Sequence, residues 1–183
     1  NAYALGSIDF TGDMPVILGP DGPSLGGFVC PATVISADRW KLGQLKAGDK
    51  IDFIPVSPEL ARQAETYQNQ LIAGEDPGKK PGNTTQNNDT EQYSQDSYIL
   101  YQSKDHPSGI CCRLAGDKNL LVEYGEQVLD IRLRCRIQAL YEALLAINSD
   151  AIEEMTPGIR SLQIRYRDNL MDHHQLLELV LDT

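Results

Sequence analysis

A loop rich in glycine and proline is the part of the sequence best suited to hold a small ligand. It covers residues 19–27, has six Gly and Pro residues in nine positions, and follows the apolar residues 16–18. Proline fixes φ and removes a donor, whereas glycine admits positive φ, so a ligand can approach such a backbone closely. The alternative is a tight strand connection, in which Asp13 and Asp21 cap turns through Asx hydrogen bonds and Ser24 forms an ST turn.

Other chemically capable residues form weaker patterns. Arg160 follows a Pro-Gly turn and is suited either to bind a carboxylate or to form a structural ion pair. No His lies near Ser24 in the sequence, so nothing indicates a catalytic triad, and no Gly-Lys-Ser/Thr follows the loop as in a phosphate-binding loop. His173 and His174 lack the i, i+4 spacing of a helical metal pair, so we expect them on a solvated face.

The four cysteines predict no metal site. They are Cys30, Cys111, Cys112 and Cys135, and no CxxC spacing occurs among them. Neighbours in a strand point to opposite faces, so Cys111 and Cys112 cannot share one metal ion. We expect four reduced structural thiols.

The bulk composition excludes several partners. The formal charge is 16 − 26 = −10, which argues against binding to nucleic acid or to an anionic membrane. No apolar run has the length of a membrane span and no signal peptide is recognisable, so we expect a cytoplasmic protein. The chain begins without Met inside a strand pattern, so we expect it to be a piece of a larger protein.

The first 73 residues predict a β region followed by a helix. Strand patterns occur at residues 3–10, 14–18, 32–35 and 50–56, and Trp40 is expected to be a core residue. Ser57 and Pro58 are a typical helix start, and Gly74 is a typical C′ residue. Residues 74–108 are predicted to be a flexible linker, because residues 74–97 have almost nothing apolar to bury.

Residues 109–183 predict a small α/β sandwich. A hairpin pairs residues 110–114 with 120–124, and a helix with an apolar stripe follows. Two extended segments flank a turn at residues 156–158, and a last helix starts at Asp172 with Gln175 completing a capping box. The predicted order is ββαββα.

Both ends of the chain resemble known families. Residues 19–34 read GPDGPSLGGFVCPATV, and residues 1–57 as a whole resemble the end of a KipA-like domain, also labelled allophanate hydrolase subunit 2. Residues 157–162 read PGIRSL, and residues 110–183 resemble the start of a KipI-like domain, also labelled allophanate hydrolase subunit 1. This order resembles the carboxyltransferase region of urea carboxylase, the carboxylase part of urea amidolyases.

The resemblance implies an α+β chain that spans a domain junction. Residues 1–73 would be the C-terminal part of a KipA-like, cyclophilin-like β-barrel with a trailing helix, and residues 109–183 the KipI-like N-terminal domain. The implied reaction transfers a carboxyl group from carboxybiotin to urea and forms allophanate. Biotin would come from a carrier domain, and ATP and Mg²⁺ would act elsewhere in the enzyme, so we expect this piece alone to be inactive.

The resemblance also implies roles for individual residues. Asp21 and Ser24 are the predicted catalytic residues, with side chains that accept hydrogen bonds from urea. The Gly26 and Gly27 amides would donate to the urea carbonyl or to carboxybiotin. The remaining predicted binding residues are Asp13, Gly22, Phe28 and Arg160.

Two other functions remain open. One is a KipA/KipI-type 5-oxoprolinase, and the other is a KipI-like kinase inhibitor or binding module. The order of the two regions and the full wording of residues 19–28 favour urea carboxylase over both.

Overall fold

The structure, a computed structural model, describes residues 3–21, 29–81, 98–105 and 108–183. The chain forms two compact units, one made of Asn1–Thr33 with Tyr93–Thr183 and the other of Val34–Gln92. The first unit contains two antiparallel sheets, so the fold class is α+β. The domain bounds at residues 73, 74–108 and 109 stay a prediction.

The first sheet has three strands, β1 (Ser7–Thr11), β2 (Met14–Ile17) and β3 (Val29–Thr33), in the order β2-β1-β3. β1 and β2 form a hairpin whose two-residue turn has Gly12 at φ 69°, which fits a turn with glycine at its first position. β3 pairs with the other edge of β1. No closed barrel exists among the described residues, because β2 and β3 both end this sheet as edges.

The regular secondary structure in the described part of residues 34–92 is helical. A 3₁₀ turn (Ser36–Asp38) leads into the short helix α1 (Arg39–Leu42), and α2 (Pro58–Ile72) follows. The predicted start and end of α2 are confirmed: the Ser57 side chain accepts from the Leu60 N–H, and Gly74 has φ 77°.

Two predictions for this unit are wrong. Residues 50–56 form no strand, and Trp40 is 57% exposed rather than buried. The reason is the small core: Ala37 and Ala61 are the buried apolar residues among the described part of this unit. So little apolar surface cannot enclose a Trp side chain.

The second sheet of the first unit has five strands in the order β4-β5-β6-β8-β7. Its elements are β4 (Ile99–Ser103), β5 (Ile110–Leu114), β6 (Asn119–Tyr124), α3 (Ile131–Ile147), β7 (Ile152–Pro157), β8 (Ser161–Tyr166) and α4 (His173–Leu181). The ββαββα order of residues 110–181 is therefore confirmed. The capping box of Asp172 and Gln175 is confirmed as well.

One core holds this sheet to its helices. Alternate residues of β5, β6 and β8 point to α3 and α4, because side chains alternate across a strand and recur every three or four residues on a helix. The side chains buried most completely are Leu120, Val122, Ile137, Leu144, Leu162, Ile164 and Leu176.

Strand β4 lies inside the range predicted to be a linker. Ile99–Ser103 pairs with β5 and forms an edge of the five-stranded sheet, although it lies within residues 74–108. Residues 82–97 and 106–107 of that range lie outside the described residues.

Candidate functional site

The loop predicted to bind ligand joins two parallel strands that lie on either side of β1. β2 ends at Ile17 beside Ile8, whereas β3 begins at Val29 beside Phe10. The connection leaves at one end of the sheet and returns at the other. Because β2 and β3 are parallel with β1 between them, a two-residue hairpin turn could not join them and a longer connection is needed.

The loop is anchored where it begins. The Leu18 N–H donates to the Ser7 carbonyl at 2.9 Å, and the Leu18 carbonyl accepts from the Gly6 N–H at 2.8 Å. Leu18 is 5% exposed. Leu18, the residue directly before the loop, is thus held by both backbone groups and by a buried side chain.

The predicted site residues are only partly within the described residues. Asp13 is exposed in the β1–β2 turn, and Asp21 is exposed four residues after the end of β2. Asp13 directly precedes β2 and Asp21 follows it, so the two lie beyond opposite ends of one strand. Asp13 lies at the end of the sheet where β3 begins. The other predicted loop residues lie outside the described residues: Gly22, Ser24, Gly26, Gly27 and Phe28.

Arg160 forms the structural ion pair that the sequence left open. Its Nη2 lies 2.7 Å from Glu123 Oε1, and its Nη1 donates to the Gly125 carbonyl at 3.1 Å. Glu123 also pairs with Arg113 Nη2 at 2.7 Å, and its side chain is only 6% exposed. The guanidinium of Arg160 thus joins the β7–β8 turn to the end of β6.

The surrounding backbone supports this position of Arg160. Its carbonyl accepts from the Tyr124 N–H at 2.9 Å, and the Gly158 N–H donates to the Ser161 carbonyl at 2.7 Å. A Cβ on Gly158 would lie 2.6 Å from Ser161 Oγ. The Pro-Gly-Ile-Arg-Ser sequence is therefore explained as a tight strand connection.

Asp9 is a buried carboxyl group near the candidate loop in sequence that the sequence analysis did not single out. It is 2% exposed in the middle of β1, and its Oδ1 has no hydrogen-bond partner in the described parts of the chain. The available signal was an acidic residue between two apolar ones, Ile8 and Phe10. Alternation alone does not show which face of a strand is enclosed, so this signal did not distinguish a buried carboxyl group from an exposed one.

The thiols are free and their environments differ. Burial raises the pKa of Cys112 to about 12, and burial together with the Glu123 carboxyl raises the pKa of Cys111. Burial and the Asp9 carboxyl raise the pKa of Cys30. All three thiols are therefore protonated and unreactive at neutral pH.

No metal centre is found within the described residues. No group of three His, Cys, Asp or Glu side chains is arranged to hold an ion there. The rings of His173 and His174 lie 4.3 Å apart, and His174 is exposed. Among the described helices, none has the length and apolar character needed to cross a membrane.

The two sheets contact each other at one glycine. Gly116, in the turn between β5 and β6, has φ 79°, and a Cβ there would lie 2.9 Å from Thr33 Cγ2 at the end of β3. Residues 1–33 and the C-terminal half thus share one compact unit, although they are far apart in sequence.

Comparison with known families assigns both parts of the chain. Residues 1–55 match the carboxyltransferase domain, subdomain A and B, and residues 110–183 match the carboxyltransferase domain, subdomain C and D. The chain belongs to this carboxyltransferase family and is part of a carboxyltransferase region of the urea carboxylase type.

Several proteins that are similar to this chain over nearly its whole length are urea amidolyases. A urea amidolyase of Lachancea kluyveri is 40% identical over 96% of this chain, and one of Saccharomyces cerevisiae is 36% identical over 98%. The crystal structure of the K. lactis urea amidolyase covers all of this chain with a TM-score of 0.84 at 35% identity. The chain spans about a tenth of the length of these relatives, 10%, 10% and 11% respectively.

Proposed function

We propose that the full-length protein carboxylates urea, with this chain forming part of the site where the carboxyl group is transferred. The observation that carries the proposal is the pair of matches in one chain, subdomain A and B followed by subdomain C and D, in the order seen along the urea amidolyases. The names of the relatives favour urea over 5-oxoproline as the substrate. They likewise favour an enzyme over a kinase inhibitor.

The loop of residues 19–28 is the proposed site of transfer. Asp21 and Ser24 are the proposed catalytic residues, and Asp13, Gly22, Gly26, Gly27 and Phe28 are proposed to line the site. We do not propose that Arg160 binds the ligand, because its guanidinium is held by Glu123 and by the Gly125 carbonyl.

The charge of this region supports a particular way of holding the ligands. Residues 1–38 contain no Lys or Arg, so hydrogen bonds to an anionic carboxyl group must come from backbone N–H groups or neutral side chains there. A loop with Gly26 and Gly27 is suited to this, because backbone amides without a Cβ allow close approach. Biotin, when bound, supplies the activated carboxyl group, and the acidic loop residues accept hydrogen bonds from the neutral urea.

The rest of the proposed assembly follows from the family. A biotin carrier domain and the remaining carboxyltransferase subdomains are the proposed partners, ATP and Mg²⁺ act in another domain, and the protein works in the cytoplasm. The three-stranded sheet would complete a cyclophilin-like barrel with strands from outside this chain.

Asp21→Ala in the biotinylated full-length protein tests the proposed site. Removing one well-placed polar contact to a transition state typically lowers turnover by roughly 100- to 1000-fold. Urea-dependent ATP cleavage and incorporation of labelled bicarbonate into allophanate should fall by that amount. Bicarbonate-dependent ATP cleavage without urea should stay near the wild-type rate.

Asp52→Ala is the matched control, because Asp52 is exposed and lies outside the loop. A well-folded Asp21→Ala enzyme with wild-type urea turnover would remove Asp21 from the site. A wild-type enzyme that responds to 5-oxoproline and not to urea would overturn the proposed function itself.

A further inference from the structure

Asp9 has a buried side-chain oxygen to which no described residue donates a hydrogen bond. Its side chain is 2% exposed, yet Oδ1 makes no hydrogen bond within the described residues. A buried polar atom without a partner destabilises the folded state, the more so if it is charged, so nearly all such atoms in proteins are paired. An unpaired oxygen here therefore indicates a partner that is not among the described residues.

The local backbone explains why the fold supplies no donor. Ile8 pairs with Ala32 and Phe10 with Val29, so two residues of β3, Cys30 and Pro31, lie opposite Asp9 in a β-bulge. Pro31 has no N–H to donate. The Cys30 thiol lies close enough for the Asp9 carboxyl to raise its pKa, but a thiol is a weak donor. Bulges of this kind re-aim side chains next to functional sites.

The charges of this region favour a neutral hydrogen-bond donor over a charged partner for Asp9. Residues 1–38 contain no Lys or Arg, so no cationic side chain close in sequence matches the Asp9 carboxyl. No three-residue metal group exists among the described residues, which argues against a bound cation. An anion would be repelled by the carboxyl group.

The position of Asp9 leaves a route for such a molecule. Asp9 pairs with Val16, and Thr11 pairs with Met14, so these four residues lie on one face of the sheet. Val16 is 43% exposed and Met14 is 71% exposed. This face of β2 is thus exposed next to the enclosed carboxyl group of Asp9, and a small molecule would approach the carboxyl group across it.

We propose that Asp9 accepts a hydrogen bond from an N–H group of urea and fixes the orientation of the acceptor during carboxyl transfer. The inference rests on the proposed function and adds a residue outside the loop of residues 19–28. Urea has four N–H donors on a small neutral frame, which fits an enclosed acceptor beside a strand. A buried acceptor also rejects molecules that cannot donate to it, because they would leave it unpaired.

Asp9→Asn and Asp9→Ala in the full-length biotinylated protein test this inference. Loss of a hydrogen bond to a carboxylate should raise the KM for urea on the order of 10- to 100-fold in Asp9→Ala, and less in Asp9→Asn, whose amide oxygen is a weaker acceptor. Bicarbonate-dependent ATP cleavage without urea should be unchanged. The melting temperature of Asp9→Asn should equal or exceed that of the wild type, since the substitution removes a buried carboxyl with an unpaired oxygen.

Asp52→Asn, an exposed carboxyl changed in the same way, should alter neither the KM nor the melting temperature. A purely structural Asp9 would give the opposite pattern, a lower melting temperature with an unchanged KM for urea, and this result would overturn the inference while the proposed function stood. A wild-type enzyme that ignores urea would overturn both.

Discussion

Two buried carboxyl groups lie in strands of the two sheets, and their surroundings differ. Glu123 in β6 is 5% exposed and pairs with Arg113 and Arg160, each at 2.7 Å. Asp9 in β1 is 2% exposed, and its Oδ1 has no partner among the described residues. The two carboxyl groups are thus buried to a similar extent, but that of Glu123 is ion-paired and that of Asp9 has an oxygen left unpaired by the described residues.

The difference separates a structural carboxyl from one that is available to a ligand. The two arginines use the carboxylate of Glu123 to hold the end of β6 and the β7–β8 turn together. Asp9 holds no other element in the described structure. We infer that the carboxyl group in the five-stranded sheet serves stability, whereas the three-stranded sheet keeps an acceptor that no described residue uses.

Glu123→Ala should break the first half of this comparison and have the largest effect on stability. Removing one partner of a buried ion pair leaves the other charge uncompensated and typically costs about 3–5 kcal/mol. Denaturant unfolding of the protein should show a loss of this size in the free energy of unfolding. The KM for urea of the folded fraction should be unchanged, because Glu123 acts through Arg160 and the turn.

Glu153→Ala is the control for Glu123. Glu153 pairs with Arg165 at 2.8 Å and Arg167 at 3.2 Å, but its side chain is 31% exposed. Exposed pairs contribute below about 1 kcal/mol. Equal losses for the two variants would show that burial does not distinguish these carboxyl groups, and the comparison would fail.

Gly116→Ala should sharpen the comparison by loosening the contact between the two sheets. Gly116 has φ 79°, and an added Cβ would lie 2.9 Å from Thr33 Cγ2. The backbone strain and the overlap should together lower the free energy of unfolding by about 1–3 kcal/mol. Thr33→Ser removes Cγ2, so the double variant should recover part of that loss in a double-mutant cycle.

Strictly additive losses in that cycle would contradict the packing of Thr33 on Gly116. Gly43→Ala is the control glycine substitution. Gly43 has φ −70°, and a Cβ there would make only an ordinary 3.5 Å contact with the Trp40 carbonyl. Stability should therefore stay the same or rise slightly.

The sequence predicted those elements that local chemistry determines. The start of α2 at Ser57 and the capping box at Asp172 depend on residues three positions apart, so the pattern alone located them. The β5–β6 hairpin and the stripe of α3 are equally local. These features cover most of residues 110–181.

The features that were missed depend on contacts distant in sequence. Ile99–Ser103 becomes a strand only because β5 offers it an edge, and residues 50–56 alternate but have no partner strand among the described residues. Asp9 was missed because alternation cannot show which face of a strand is enclosed. The predicted loop residues Asp13 and Asp21 are placed by the β1–β2 hairpin and the end of β2, which the sequence did locate.

Asp172→Ala should have the smallest effect and extends the comparison to an exposed carboxyl. The Asp172 side chain accepts from the His174 N–H at 2.8 Å and from the Gln175 N–H at 2.9 Å. These hydrogen bonds, with that from Gln175 the strongest, hold the pKa of Asp172 below its ordinary value. A carboxyl whose pKa is lowered by folding stabilises the fold above its unfolded-state pKa, and this contribution is lost as the pH falls through the folded-state pKa. The free energy of unfolding of Asp172→Ala should thus be lower than that of the wild type by about 1 kcal/mol near neutral pH, and this difference should close below about pH 4.

Asp172→Asn keeps the acceptor oxygen without the charge, so it should retain most of the stability at neutral pH, and its difference from the wild type should not close in this way. A gap for Asp172→Ala that stays constant from pH 7 to pH 3 would mean that the carboxylate charge contributes nothing at this helix start, and that pairing with backbone N–H groups is not what distinguishes Asp172 from Asp9.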